Sequence, residues 1–174
     1  MAQIRSISTT YFRNFIFGVE DSLVSTVGLL SGVAIADVER STIILTGVVL
    51  IFVEAISMAA GSFLSETSAQ NYATQHEQPL RSSVASGAIM FFSYFLAGFI
   101  PLLPYLLLGT AMAFPASIGA SLCALFCLGI VSARLSKTSI SRNVLRMVIV
   151  GGLAIAVGVI VGSMITNGGL GSIE

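Results

Sequence analysis

The sequence predicts an all-α integral membrane protein of five transmembrane helices, with the N-terminus cytoplasmic and the C-terminus outside. Three observations carry that expectation. First, the chain has 174 residues, of which 55% are apolar and only 9% charged, whereas soluble domains carry roughly 25% charged residues. With a mean hydropathy of +0.97, it cannot clothe itself in a solvated surface, and lipid must cover most of it. Second, the apolar residues gather into five runs close to the roughly 20 residues that a helix needs to cross a bilayer core. Third, threading those runs in order puts seven of the eight basic residues on one side, the bias that marks a cytoplasmic face.

The spans are expected at Phe15–Ala36, Thr42–Leu64, Val84–Leu108, Ala111–Ala133 and Val144–Thr166. The residues Asp37–Ser41 leave room only for a tight hairpin between the first two. Pro101 and Pro104 should kink or fray the third near its outer end, because each removes a backbone donor. The turn around Gly109–Phe114 is very short, with Pro115 just beyond it. Arg5, Arg13, Arg81, Arg134, Lys137, Arg142 and Arg146 then lie inside and Arg40 alone outside. A single five-helix domain over residues 1–174 is expected, with a short cytoplasmic loop at 65–83 holding His76, Glu77 and Pro79.

Composition also excludes function classes. Eight basic and eight acidic side chains cancel, leaving no field for nucleic acid. Cys123 and Cys127 lie inside an apolar run and read as small filler, not as a disulfide framework. Met1–Thr10 is polar and the first apolar run is full length, so no cleavable signal is visible. Without Trp, interfacial anchoring falls to Tyr, Arg and Lys. Compactness and the lack of targeting signals favour a prokaryotic inner membrane, with a vacuolar membrane as the alternative.

The informative residues are the acids within the spans. A carboxylate at bilayer depth costs about 2.5–3.5 kcal/mol on insertion scales, so Asp21 and Glu54 need pairing, protonation or a cation. From helical rise, Asp21 is ~9 Å from the cytoplasmic end of its helix, Met58 is at a similar depth, and Glu54 is ~15 Å deep. Two carboxylates and a thioether along one path suit a divalent transition metal such as Fe²⁺ or Mn²⁺ better than Mg²⁺ or Ca²⁺. Such a chain carries an ion and is not an enzyme. The plainer readings are an interfacial Asp21 at its helix N-terminus, a protonated Glu54 in an interhelical hydrogen bond, and Met58 as packing. Glu20 points to another face and reads as interfacial.

Small residues mark close helix contacts. Ser25, Gly28 and Gly32 trail Asp21 along one face, Ser57, Gly61 and Ser65 line the second helix, and Gly158 and Gly162 the fifth. Ser25, Gly28, Gly32 and Gly61 are the expected packing or dimer seam. A two-fold axis there would double Asp21 and Met58 and complete, with waters, the shell a small divalent ion requires.

The run Phe17-Gly18-Val19-Glu20-Asp21-Ser22-Leu23-Val24-Ser25-Thr26 resembles the F-G-x-x-D-G-[IL]-[VL]-[ST]-T opening of the vacuolar iron transporter family. Glu54 to Ser65 resembles that family's [DE]-G-x-S-M-A-x-G-E-[YF]-[LI]-S signature. Pro101 to Tyr105, Leu128 to Leu135 and Arg146 to Gly152 resemble its later helices. The resemblance implies five spans and export of Fe²⁺ or Mn²⁺ from the cytosol by metal/proton exchange, in a homodimer with the pathway between protomers. It implies metal binding at Asp21 and Met58, with Glu54 as the acid one turn deeper and the candidate for proton coupling. The metal is cargo, and no cofactor is bound permanently. Ser22 and Ala55 replace usual glycines, Ser62 replaces the signature Glu, and the Glu- and Met-rich cytoplasmic segment of iron-transporting members shrinks to Ser65–Ser83. The last two departures favour one alternative, a non-transporting structural or partner-binding membrane protein that retains the fold; transport of another solute is a second.

Overall fold

A computed structural model describes residues 2–36, 38–77 and 79–167. Met1, Asp37, Gln78 and residues 168–174 of the expected domain lie outside the described residues. The helices are α1 (Ala2–Ile35), α2 (Arg40–Thr74), α3 (Arg81–Leu107), α4 (Thr110–Ser136) and α5 (Ile140–Asn167), and all five are long and apolar enough to cross a membrane. Among the described residues there is no strand.

Two helices outrun the spans expected from hydropathy. The 35 residues of α2 measure about 52 Å at 1.5 Å per residue, well beyond a core of ~30 Å. The expected loop at 65–83 is therefore corrected: its first half is a helical stem reaching Thr74. Polar pairing sustains the stem where apolar burial cannot. Gln70 donates to Glu66 one turn away (2.8 Å) and to Ser82 at the start of α3 (2.9 Å). The helix stops at Gln75, whose left-handed backbone (φ 56°) turns the chain.

α1 touches all four other helices, and α3 packs against α1, α2 and α4. One core cluster joins Leu30, Ile43, Ile51, Leu102 and Tyr105, and a second joins Leu23, Ala97, Leu125, Leu128 and Met147. α3 stays helical through both prolines and ends at Leu107, three residues after Pro104. Its terminal carbonyls do not go bare. Arg40, at the start of α2, donates from Nε to the Tyr105 carbonyl (2.6 Å) and from Nη2 to the Leu106 carbonyl (2.8 Å). These belong to the last turn, where no intrahelical donor exists and a cation is favoured. The one basic residue at this end of the bundle is thus a cap borrowed by a neighbouring helix. Ser117 of α4 ties the same region by donating to the Pro101 carbonyl (2.7 Å).

Gly28 and Gly32 face α5 of the same chain. A Cβ at Gly32 would sit 2.7 Å from the Gly158 carbonyl oxygen, and one at Gly158 would meet the Gly28 carbonyl. The four glycines 28, 32, 158 and 162 form one seam where α1 and α5 touch backbone to backbone. The expectation that the Gly28 and Gly32 face is free for the first helix of a second copy is corrected accordingly, since α5 already covers it. Ser25 is likewise engaged inside the bundle, with Tyr94. Of the expected seam residues only Gly61 is open: it is exposed, and a Cβ there would meet nothing within 4 Å.

Candidate functional site

The site rests on the facing stretches of α1 and α2, flanked by α3. Arg13, Phe17 and Asp21 recur every four residues and share one face of α1. Arg13 and Phe17 are exposed and Asp21 is half-buried. On α2, Glu54 and Met58 are half-buried one turn apart, beside the exposed row Ser57, Gly61 and Ser65. The Asp21 carboxylate lies within electrostatic reach of Glu54 and Glu20. Two of the three expected site residues, Asp21 and Glu54, therefore lie on adjacent spans within electrostatic reach of each other.

Met58 also opens onto a cavity of about 600 Å³, which it lines with Arg13, Asn14, Ser57, Ser62 and Met90, and neither acid is among the lining residues. The cavity lies toward the end of the bundle that carries most of the basic residues. Its polar wall is neutral apart from Arg13. Asn14, nine-tenths buried or more, donates to Ser62 Oγ (2.8 Å) and more weakly to the Ser86 carbonyl (3.5 Å). Among the described residues no three His, Cys, Asp or Glu side chains converge as a metal ligand set. A single protomer thus offers two carboxylates within electrostatic reach of each other and a thioether, Met58, one helical turn from Glu54 on the cavity wall.

Asn14 and Tyr94 did not stand out in the sequence. Asn14 occurs at the mouth of an apolar run, and its partner Ser62 is 48 positions away. Tyr94 belongs to the aromatic string Phe91-Phe92-Ser93-Tyr94-Phe95, where Phe91 and Phe95 stack with centroids 5.5 Å apart. That string reads as packing, yet the Tyr94 hydroxyl is turned to α1, 2.7 Å from Ser25 Oγ. Cys123 and Cys127 are free and exposed on α4, so they pack less than expected of core filler. His76 is exposed in the turn after α2.

A family model described as the VIT family matches residues 12–81 and 72–163, which takes in the acids, the cavity and all five helices. The chain belongs to the vacuolar iron transporter family. No curated protein matches the chain. Membership makes it a member of a metal-transporter family, integral to a membrane. The places where it departs from the family pattern are structurally occupied. Ser22 donates to the Tyr94 carbonyl (2.6 Å), Ala55 is wholly buried, and Ser62 is held by Asn14.

Proposed function

We propose that the protein exports Fe²⁺ or Mn²⁺ from the cytosol in exchange for protons, through a pathway at the interface of a homodimer. The observation that carries this reading is a pair of carboxylates, Asp21 and Glu54, on adjacent spans and within electrostatic reach of each other. Two like charges in spanning segments persist only where a cation or a proton offsets them. The basic end faces the cytoplasm, so an ion would enter by the cavity containing Met58 and Met90 and then meet Asp21 and Glu54. Asp21 and Met58 hold the ion, and Glu54 alternates between metal and proton. One chain supplies too few donors for a divalent transition ion. A two-fold partner related across the outward faces bearing Phe17 and Asp21 on α1, and Ser57 and Gly61 on α2, doubles the set.

The test is metal-dependent flux in proteoliposomes with Fe²⁺ or Mn²⁺ supplied, comparing the wild type with Asp21→Asn and Glu54→Gln. Each neutral isostere is expected to abolish flux while expression and dimerisation persist. Wild-type flux in either variant would make that carboxylate structural. No metal flux from the folded wild-type protein would instead favour the non-transporting membrane protein.

A further inference from the structure

Tyr94 of α3 is hydrogen-bonded to α1, the helix that carries Asp21. None of its surface is exposed. α1 grips it at two points: Ser22 Oγ donates to its carbonyl (2.6 Å), and Ser25 Oγ shares a 2.7 Å hydrogen bond with its hydroxyl, in which either oxygen can be the donor. Ser22 follows Asp21 directly and Ser25 lies one helical turn beyond it, on the same face. The Tyr94 hydroxyl is within electrostatic reach of both Glu54 and Asp21. The phenol is bound beside the intramembrane carboxylates.

The hydroxyl inventory shows what the pair can do. Each hydroxyl has one proton to donate and two lone pairs. The mutual bond consumes one proton and leaves one over. If Ser25 donates, the spare proton is phenolic; if Tyr94 donates, it belongs to Ser25. A carboxylate in a low-dielectric span is costly without donors, and a charged acceptor makes the stronger hydrogen bond. We propose that the Ser25–Tyr94 hydroxyl pair is a positioning element for the carboxylate site, its spare proton holding one oxygen of Asp21 or Glu54 so that the other oxygen faces the ion. When the ion arrives, that bond is kept and the other carboxylate oxygen meets the metal, so no proton is gained or lost by the protein in this step. The role in transport rests on the reading given above, whereas the hydrogen bond to a carboxylate does not.

The experiment uses the full chain in liposomes with Mn²⁺ as the probe. Tyr94→Phe keeps the ring and deletes only the hydroxyl. It is expected to raise KM for Mn²⁺ about tenfold, the size of one hydrogen bond to a charged group, with kcat little changed. Ser25→Ala should do the same, the double variant should be no worse than either single one, and Ser25→Thr should restore the wild-type KM. Infrared difference spectra supply a readout that needs no transport: the carboxylate bands removed by Asp21→Asn or Glu54→Gln should shift in Tyr94→Phe. An unchanged KM in Tyr94→Phe, or unshifted bands, would overturn the assignment and leave Tyr94 as packing. If the wild type moves no Mn²⁺, the transport reading falls, and the bands alone decide the hydroxyl pair.

Discussion

Alanine substitutions along the glycine seam should rank in an order that the backbone geometry dictates. Gly152 of α5 is the reference, because a Cβ there meets nothing within 4 Å. Gly152→Ala should be neutral or stabilising by up to about 1 kcal/mol from helix propensity. At Gly28 the new Cβ would stand 3.2 Å from the Ala154 carbonyl oxygen, a contact relieved by a few tenths of an ångström. At Gly32 the nearest atom is the Gly158 carbonyl oxygen at 2.7 Å, and at Gly158 the Cβ would collide with the carbonyl of Gly28, whose carbon is 2.9 Å away. Those obstacles are main chain on both sides, so no rotamer can yield and the helices must part. Overpacking of this kind costs roughly 1–3 kcal/mol, and Gly158→Ala belongs at the upper end. The propensity gain is common to both and cancels, so the difference between Gly158→Ala and Gly152→Ala should be about 2–3 kcal/mol, within the same helix and for the same added methyl. Unfolding titrations with SDS in mixed micelles measure it. Equal stabilities for the two variants would mean that α1 and α5 do not touch at these glycines, and the intramolecular seam would have to be abandoned.

Three further outcomes are expected. Met58→Leu conserves volume and should cost less than about 1.5 kcal/mol, while competition assays show weaker discrimination of Fe²⁺ or Mn²⁺ from Mg²⁺; unchanged selectivity would assign Met58 to packing. With Cys123 and Cys127 replaced by Ala, Gly61→Cys should cross-link two copies and Gly28→Cys should not, because α5 covers it; the opposite result on a denaturing gel would move the interface. Arg40→Ala strips the donors from the Tyr105 and Leu106 carbonyls and should cost about 1–3 kcal/mol, read as a lower midpoint in the same unfolding titration, whereas a surface arginine without that role would leave the midpoint unchanged.

The spans were legible because lipid imposes a simple demand, about 20 apolar residues in a row, and each of the five runs meets it. The stem from Ser65 to Thr74 was not, since hydropathy is silent about a polar helix held by Glu66, Gln70 and Ser82. Gly28 and Gly32 announced a close approach without naming the partner: a Gly-x-x-x-Gly row fits another segment of the same chain as well as a second chain. Asp21 and Glu54 were conspicuous because charge in a span is rare and costly. Tyr94 and Asn14 carry no such mark. Their contacts with Ser25 and Ser62 join residues 69 and 48 positions apart, and no local pattern encodes a pairing at that range.

The Arg40 cap also bears on how the protein is made. The chain is synthesised from its N-terminus, and segments assemble in that order. In the proposed orientation, with the basic end in the cytoplasm, the turn between α1 and α2 carries a guanidinium through the hydrocarbon, at about 2.5–3.5 kcal/mol on insertion scales. At that moment α3 has not emerged and the arginine has no carbonyls to serve. When α3 follows, with two prolines near its leading end, its orphaned carbonyls reach an interface where their donor already waits. The most awkward residue to translocate is thus the receptor for the next helix, and biogenesis gains a directional step: the second span prepares the docking point of the third.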